Sequence, residues 1–245
     1  MSFSVNFIPM KRLFLLFPLL FLVIISSGFD TPPPRQIIPS NLEIGNALKQ
    51  ALVQGATKST AQLSAVDGFF GNAAVKILFP PQAQRAERTL RSLGLNKLCD
   101  NVILSLNRAA EDAAKQATPI FINAIKHMTL NDVTNILLGS QDAATQYFKR
   151  TTTADLSASF RPVIQVSLDK VGATKYYTDA AKAYNKVPFV SKINPDLVDY
   201  ATQKAIDGIF IQIAVEELNI RQNLHARPTV LLQKVFSFAD KNKKF

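Results

Sequence analysis

Three groups of polar residues sit among apolar neighbours in this 245-residue chain. Asn107, Arg108 and Glu111 stand three and four positions apart, the spacing of neighbours on one helix face, with Leu104 on the same side. Glu217 and Arg221 are four apart and close the apolar run that begins at Ile206, with Glu216 beside them. Tyr147, Lys149, Arg150 and Thr151 to Thr153 form a basic, hydroxyl-rich stretch. Charges beside apolar surface are costly unless paired, so these residues either bond one another and fix how helices cross, or line a cleft. A cleft in which Arg108, Arg150 and Arg221 converge would hold an anion or a headgroup. One that joins Glu111, Tyr147 and Glu217 would suit a two-carboxylate hydrolase. The candidate binding residues are Asn107, Arg108, Glu111, Tyr147, Arg150, Glu217 and Arg221, with no catalytic residue assigned.

Motifs that would support a sharper assignment are missing from the sequence. The Gly55–Thr60 stretch lacks the Gly-Lys pair of a phosphate loop, and no dinucleotide loop, nucleophile elbow or zincin motif occurs. His127 and His225 have no carboxylate at metal-ligand spacing, and no Glu-x-x-His pair is available for a di-iron bundle. No cofactor and no metal are expected, and the balance tilts towards a protein that is not an enzyme. A purely structural helical protein is the remaining alternative.

The N-terminus addresses location. Lys11 and Arg12 precede an apolar run from Leu13 to Ile25, followed by Ser26-Ser27-Gly28, the pattern of a secretory signal cleaved after Gly28. The run is shorter than the 20 or so residues a transmembrane helix needs, and no cysteine follows it for a lipid anchor. A periplasmic protein is expected, neither a lipoprotein nor, once mature, membrane-spanning; retention by an uncleaved signal is the alternative. The formal charge is +10, and a mature chain without Lys11 and Arg12 carries 26 basic against 18 acidic residues, or +8. An anionic envelope component therefore suits it as partner, as does an apolar ligand. Nucleic acid does not, because the chain is exported and its basic residues are scattered.

The elements that must position these side chains read as helices. After a Pro-rich linker over 29–40, Ser40 and Glu43 form a capping box that opens a helix ending before Asp67-Gly68. Val75 to Phe79 is the only stretch with strand character, and Pro80-Pro81 keeps it short. A helix closes at Gly94, and another runs from Asn96 to Ala117 with Leu95, Leu98, Cys99, Val102 and Leu106 on one face, which buries the single cysteine. Shorter helices follow from Thr118, Thr129 and Ser140, the last ending near Arg150; Thr153 opens another through Pro162, and Thr174 to Asn185 forms one more. Asn194-Pro195-Asp196 then starts the longest helix, which reaches about Asn223 and is apolar almost all round between Ile206 and Leu218. The expected fold is all-α: one bundle-like domain over 41–236 around this buried helix, with at most a short β-hairpin or extended segment near 75–80, and a basic tail over 237–245.

Several segments, taken in order, carry a resemblance. They are Asn107-Arg108-Ala109-Ala110-Glu111, Ala124-Ile125-Lys126-His127-Met128-Thr129 and Ala143 to Arg150, then Asp207-Gly208-Ile209-Phe210, Glu216-Glu217, Ile220-Arg221 and Leu231 to Phe236. Together with Gly68-Phe69 and Val75 to Pro80, they resemble the bacterial domain-of-unknown-function family 4197 over Ser40 to Phe236. The resemblance implies an exported helical envelope domain and transfers no catalytic residue.

Overall fold

The computed structural model describes residues 38–242, apart from Val171, residues 186–191, Ile193 and Pro195. The signal sequence and most of the Pro-rich linker lie outside the described residues. Among the described residues every regular element is helical and none is a strand, so the chain is all-α.

Helix α1 (Asn41–Ser64) opens on the expected capping box: Ser40 Oγ accepts from the Glu43 amide at 3.2 Å, and the Glu43 carboxylate accepts from the Ser40 amide at 2.9 Å. Its buried face alternates leucines with small residues (Ala47, Leu48, Ala51, Leu52, Gly55, Ala56), so neighbouring helices come close. The turn after it needs glycine. A Cβ on Gly68 would stand 2.4 Å from the Gln62 carbonyl oxygen, and Asp67 before it is left-handed at φ 65°. This turn drives Phe69 wholly into the core.

A single turn of 3-10 helix (Pro81–Ala83) leads into α2 (Gln84–Ser92), and α3 (Asn96–Ala114) follows. The inward stripe of α3 is Cys99, Ile103, Leu106, Ala110 and Ala113. Cys99 is buried as expected, but Leu95 and Leu98, expected on its face, are 44% and 50% exposed. Cys99 belongs to a small second core with Phe79, Ala83 and Ile103. Helices α4 (Ala117–Lys126) and α5 (Leu130–Leu137) come next, α5 on a second capping box made by Thr129 and Asp132.

One long helix, α6 (Ala143–Asp169), replaces the two expected on either side of Thr151 to Thr153. Those threonines do not cap a new helix, because each hydroxyl donates to the carbonyl four residues back: Thr151 to Tyr147 at 2.9 Å, Thr152 to Phe148 at 2.6 Å and Thr153 to Lys149 at 2.6 Å. Pro162 is carried within α6 on its exposed side.

After α7 (Ala173–Tyr184), α8 (Leu197–Gln222) forms the centre and packs on α6, α1 and α3. Its cap is Asp196, whose side chain accepts from the Asp199 amide at 2.8 Å, rather than Asn194; the expected Pro195 start lies outside the described residues. Nor is α8 buried all round. Ile211, Val215 and Leu218 form a stripe 43%, 53% and 37% exposed, while Ile206, Ile209, Phe210 and Ile213 point inward. Gly208 sits where Phe69 crosses: a Cβ there would lie 2.5 Å from the Phe69 ring. Helix α9 (Val230–Asn242) closes the bundle and continues beyond the expected end at 236, with Ala239 buried.

Candidate functional site

Glu217 and Arg221 are both buried, at 8% and 6% exposure, on the side of α8 that faces the meeting point of α5 and α6. At the start of α6 the residue in the cap position, Asp142, makes no side-chain cap bond. The first-turn amides that would otherwise lack partners are served from another helix. Glu217 Oε1 accepts from the Ala144 amide and Oε2 from the Thr145 amide, both at 2.9 Å, and Oε2 also accepts from the Thr145 hydroxyl at 2.8 Å. Arg221 Nε and a terminal guanidinium nitrogen donate to Glu217 Oε1 at 3.0 and 2.8 Å. The same guanidinium donates to the Ile136 and Leu137 carbonyls at 2.7 and 3.3 Å, the free acceptors at the end of α5. An acid thus faces the positive end of one helix and a base the negative end of another, each where the helix dipole favours it. Five accepted bonds leave Glu217 no site for a substrate proton.

The cluster on α3 works in the same way. Glu111 Oε1 accepts from the Phe69 and Phe70 amides at 3.1 and 3.2 Å, and Oε2 accepts from Arg108 at 2.6 Å. Arg108 also reaches Asp67 at 2.7 Å, and the two carboxylates hold its pKa above the usual guanidinium value. Asn107, with no exposure, treats Ile77 as a strand would: Oδ1 accepts from the Ile77 amide and Nδ2 donates to the Ile77 carbonyl, each at 2.8 Å. A side-chain amide thus supplies Ile77 with the pairing a neighbouring strand would give, while Val75 still belongs to the turn on Asn72 and the 75–80 segment forms no strand.

Tyr147 and Arg150 lie on α6. The buried Tyr147 hydroxyl donates to the Ala124 carbonyl at 3.1 Å, and burial raises its pKa above the usual phenol value, with a smaller push from Asp132. Arg150 is exposed, its guanidinium carbon 5.6 Å from the Tyr147 ring centre.

The seven residues therefore divide among three places. Asn107, Arg108 and Glu111 meet at the 67–77 segment, Glu217 and Arg221 meet at the α5–α6 junction, and Tyr147 and Arg150 contact each other. Among the described residues, Arg108, Arg150 and Arg221 share no partner, and neither do Glu111, Tyr147 and Glu217. Beside Glu217 and Arg221 there is a cavity of about 30 Å³, lined mainly by aliphatic side chains including Leu48, Ile213 and Ile220, with room for little more than a water molecule. A larger open groove of about 450 Å³ runs between α1 and α4, with Lys49 and Lys126 beside Val53, Ile122 and Ile125. Among the described residues no three His, Cys, Asp or Glu side chains gather as a metal site would require, and no helix is long and apolar enough to cross a membrane.

Sequence reasoning missed Arg227, the largest of the fully buried side chains. It donates to the Ile220 and Arg221 carbonyls at 2.8 and 2.7 Å, pairs with Asp240 at 3.0 Å and stacks 5.2 Å from the Phe236 ring centre. A basic residue just past a long helix and directly before Pro228 is the available signal, since such residues serve terminal carbonyls.

No curated protein and no solved structure matches the chain. Residues 39–237 match a family described as a protein of unknown function, DUF4197, and span nearly all of the helical bundle. With a match of that extent, the chain belongs to the DUF4197 family.

Proposed function

We propose that this protein is an exported, non-enzymatic module of the bacterial envelope that docks through its basic surface to an anionic partner with apolar character. The observation that carries the reading is how the charged groups are used. The buried acids and guanidiniums, namely Glu111, Glu216, Glu217, Arg221 and Arg227, all bond to protein groups. Arg85, Arg88, Lys97 and Lys126, by contrast, are exposed, and Lys49 is half-buried at the surface, all without an acidic partner among the described residues. An interior whose polar groups are spent on helix ends supports packing, and a surplus of unpaired surface cations favours association with negative charge. The signal-like N-terminus supports a periplasmic setting, in which membrane headgroups offer an anionic surface.

Flotation of the mature chain with phosphatidylglycerol-containing vesicles, at low and at high salt, tests the reading. Co-flotation at low salt that is lost at high salt is expected. Flotation equal on phosphatidylcholine alone, or none on either, contradicts it.

A further inference from the structure

Helix α2 and the first half of α3 form a hairpin outside the main core, which the second half of α3 joins through Leu106, Ala110 and Ala113. No residue of α2 is buried, and the hairpin is anchored through the small core of Phe79, Ala83, Cys99 and Ile103, with Leu90 packed against it. Its tip is a well-formed turn. The Leu95 amide donates to the Leu90 carbonyl and the Gly94 amide to the Arg91 carbonyl, both at 3.0 Å, with Gly94 left-handed at φ 84°. These are the two bonds of a Schellman closure, which fixes the chain direction at a helix end. The tip displays Leu93, Leu95 and Leu98, which are 70%, 44% and 50% exposed.

The charges around the tip are unbalanced. Arg91 spans the hairpin, bonding Glu87 at 3.0 Å on its own helix and Asp100 at 2.9 Å on α3. Those are the only two acids between Pro81 and Val102. With both engaged by one arginine, Arg85, Arg88 and Lys97 remain exposed without an acidic partner among the described residues. Leucines on a turn fixed by two hydrogen bonds, with cations on the same hairpin, suit an anionic bilayer: the leucines enter the headgroup boundary while the cations stay with the phosphates. The exposed stripe on α8 has another setting, since Lys58 beside it is already paired with Glu216 at 2.8 Å.

We infer that the α2–α3 tip is the element by which the protein contacts an anionic lipid surface, with Leu93, Leu95 and Leu98 inserting and Arg85, Arg88 and Lys97 binding headgroups. This inference rests on the membrane-facing form of the reading above. The test is quantitative flotation of the mature chain on phosphatidylglycerol-containing vesicles, with three triple variants whose melting temperatures confirm folding. One carries Leu93→Ser, Leu95→Ser and Leu98→Ser, a second Arg85→Gln, Arg88→Gln and Lys97→Gln, and a third, on α8, Ile211→Ser, Val215→Ser and Leu218→Ser. Removal of three interfacial cations is expected to lower partitioning by roughly 100-fold. The leucine triple is expected to lower it by at least about tenfold, from the apolar area withdrawn from the boundary. The α8 triple should match the parent. If the parent floats and the two tip variants float equally well, or if the α8 triple alone loses binding, the tip assignment is overturned while the anionic-partner reading stands. If the parent does not float, both fall, and a protein partner becomes the occupant to seek.

Discussion

Glu217 and Glu111 are the same residue in similar settings, each buried on a helix and each with an arginine three or four residues away, yet they are held differently. Glu217 lies between two helix ends with a guanidinium that is itself buried, its side chain 4% exposed. Glu111 closes a turn, and the side chain of its arginine is 38% exposed and shared with the surface residue Asp67. The first arrangement is closed, with space beside it for little more than one water, whereas the second is half open to solvent. The difference shows that an acid–arginine pair at helical spacing does not by itself mark a site: both carboxylates here are addressed to backbone amides far away in sequence. What separates the two is how much each would cost the fold if broken.

The largest effect is expected at the closed junction. Glu217→Ala leaves Arg221 buried without its counter-charge and strips two amides of α6, so a loss of about 3–5 kcal/mol in urea denaturation is expected, enough to unfold a marginal domain. The cluster on α3 should respond less, even at its buried, uncharged member. Asn107→Leu abandons the amide and carbonyl of Ile77, and about 1–3 kcal/mol is expected, with increased hydrogen exchange at Ile77 as the local signature. Smaller still is the capping box of α5, where Thr129→Ala should cost about 0.5–2 kcal/mol. The same box sets a pH dependence. The Thr129 amide, followed by its hydroxyl, holds the Asp132 pKa below the ordinary carboxylate value. Its folded-state pKa is depressed, so its stabilisation is complete above the unfolded pKa and disappears as pH falls through the folded one. Asp132→Asn should flatten that acid limb of a stability–pH profile, and an unchanged limb would show that the box contributes nothing there.

The parts of the fold decided within one turn of chain were legible in the sequence. Ser40 with Glu43 and Thr129 with Asp132 announce helix starts, and Gly94 announces a helix end, because each device involves residues at most five apart. Thr151 to Thr153 misled for a local reason too: a threonine can cap a new helix or bond back into the old one, and the sequence does not say which. Distant pairings were out of reach. That Glu217 would cap α6 depends on residues 73 and 72 positions away, and that Asn107 would pair with Ile77 depends on one 30 positions away. The polar residues of the candidate site could therefore be picked out as needing partners, while their division among separate junctions could not. The α8 stripe and the leucine tip were hidden by a related ambiguity, since an apolar residue on a helix gives no sign of whether a neighbour covers it.

The central claim is that the buried acid–arginine clusters hold helix ends together. It is tested most directly by a double-mutant cycle in urea with Glu217→Gln, Arg221→Met and the two combined. Each single change is expected to destabilise strongly, and the double to cost less than the sum by about 0.5–3 kcal/mol. Single variants with unchanged unfolding midpoints and no coupling would contradict the account.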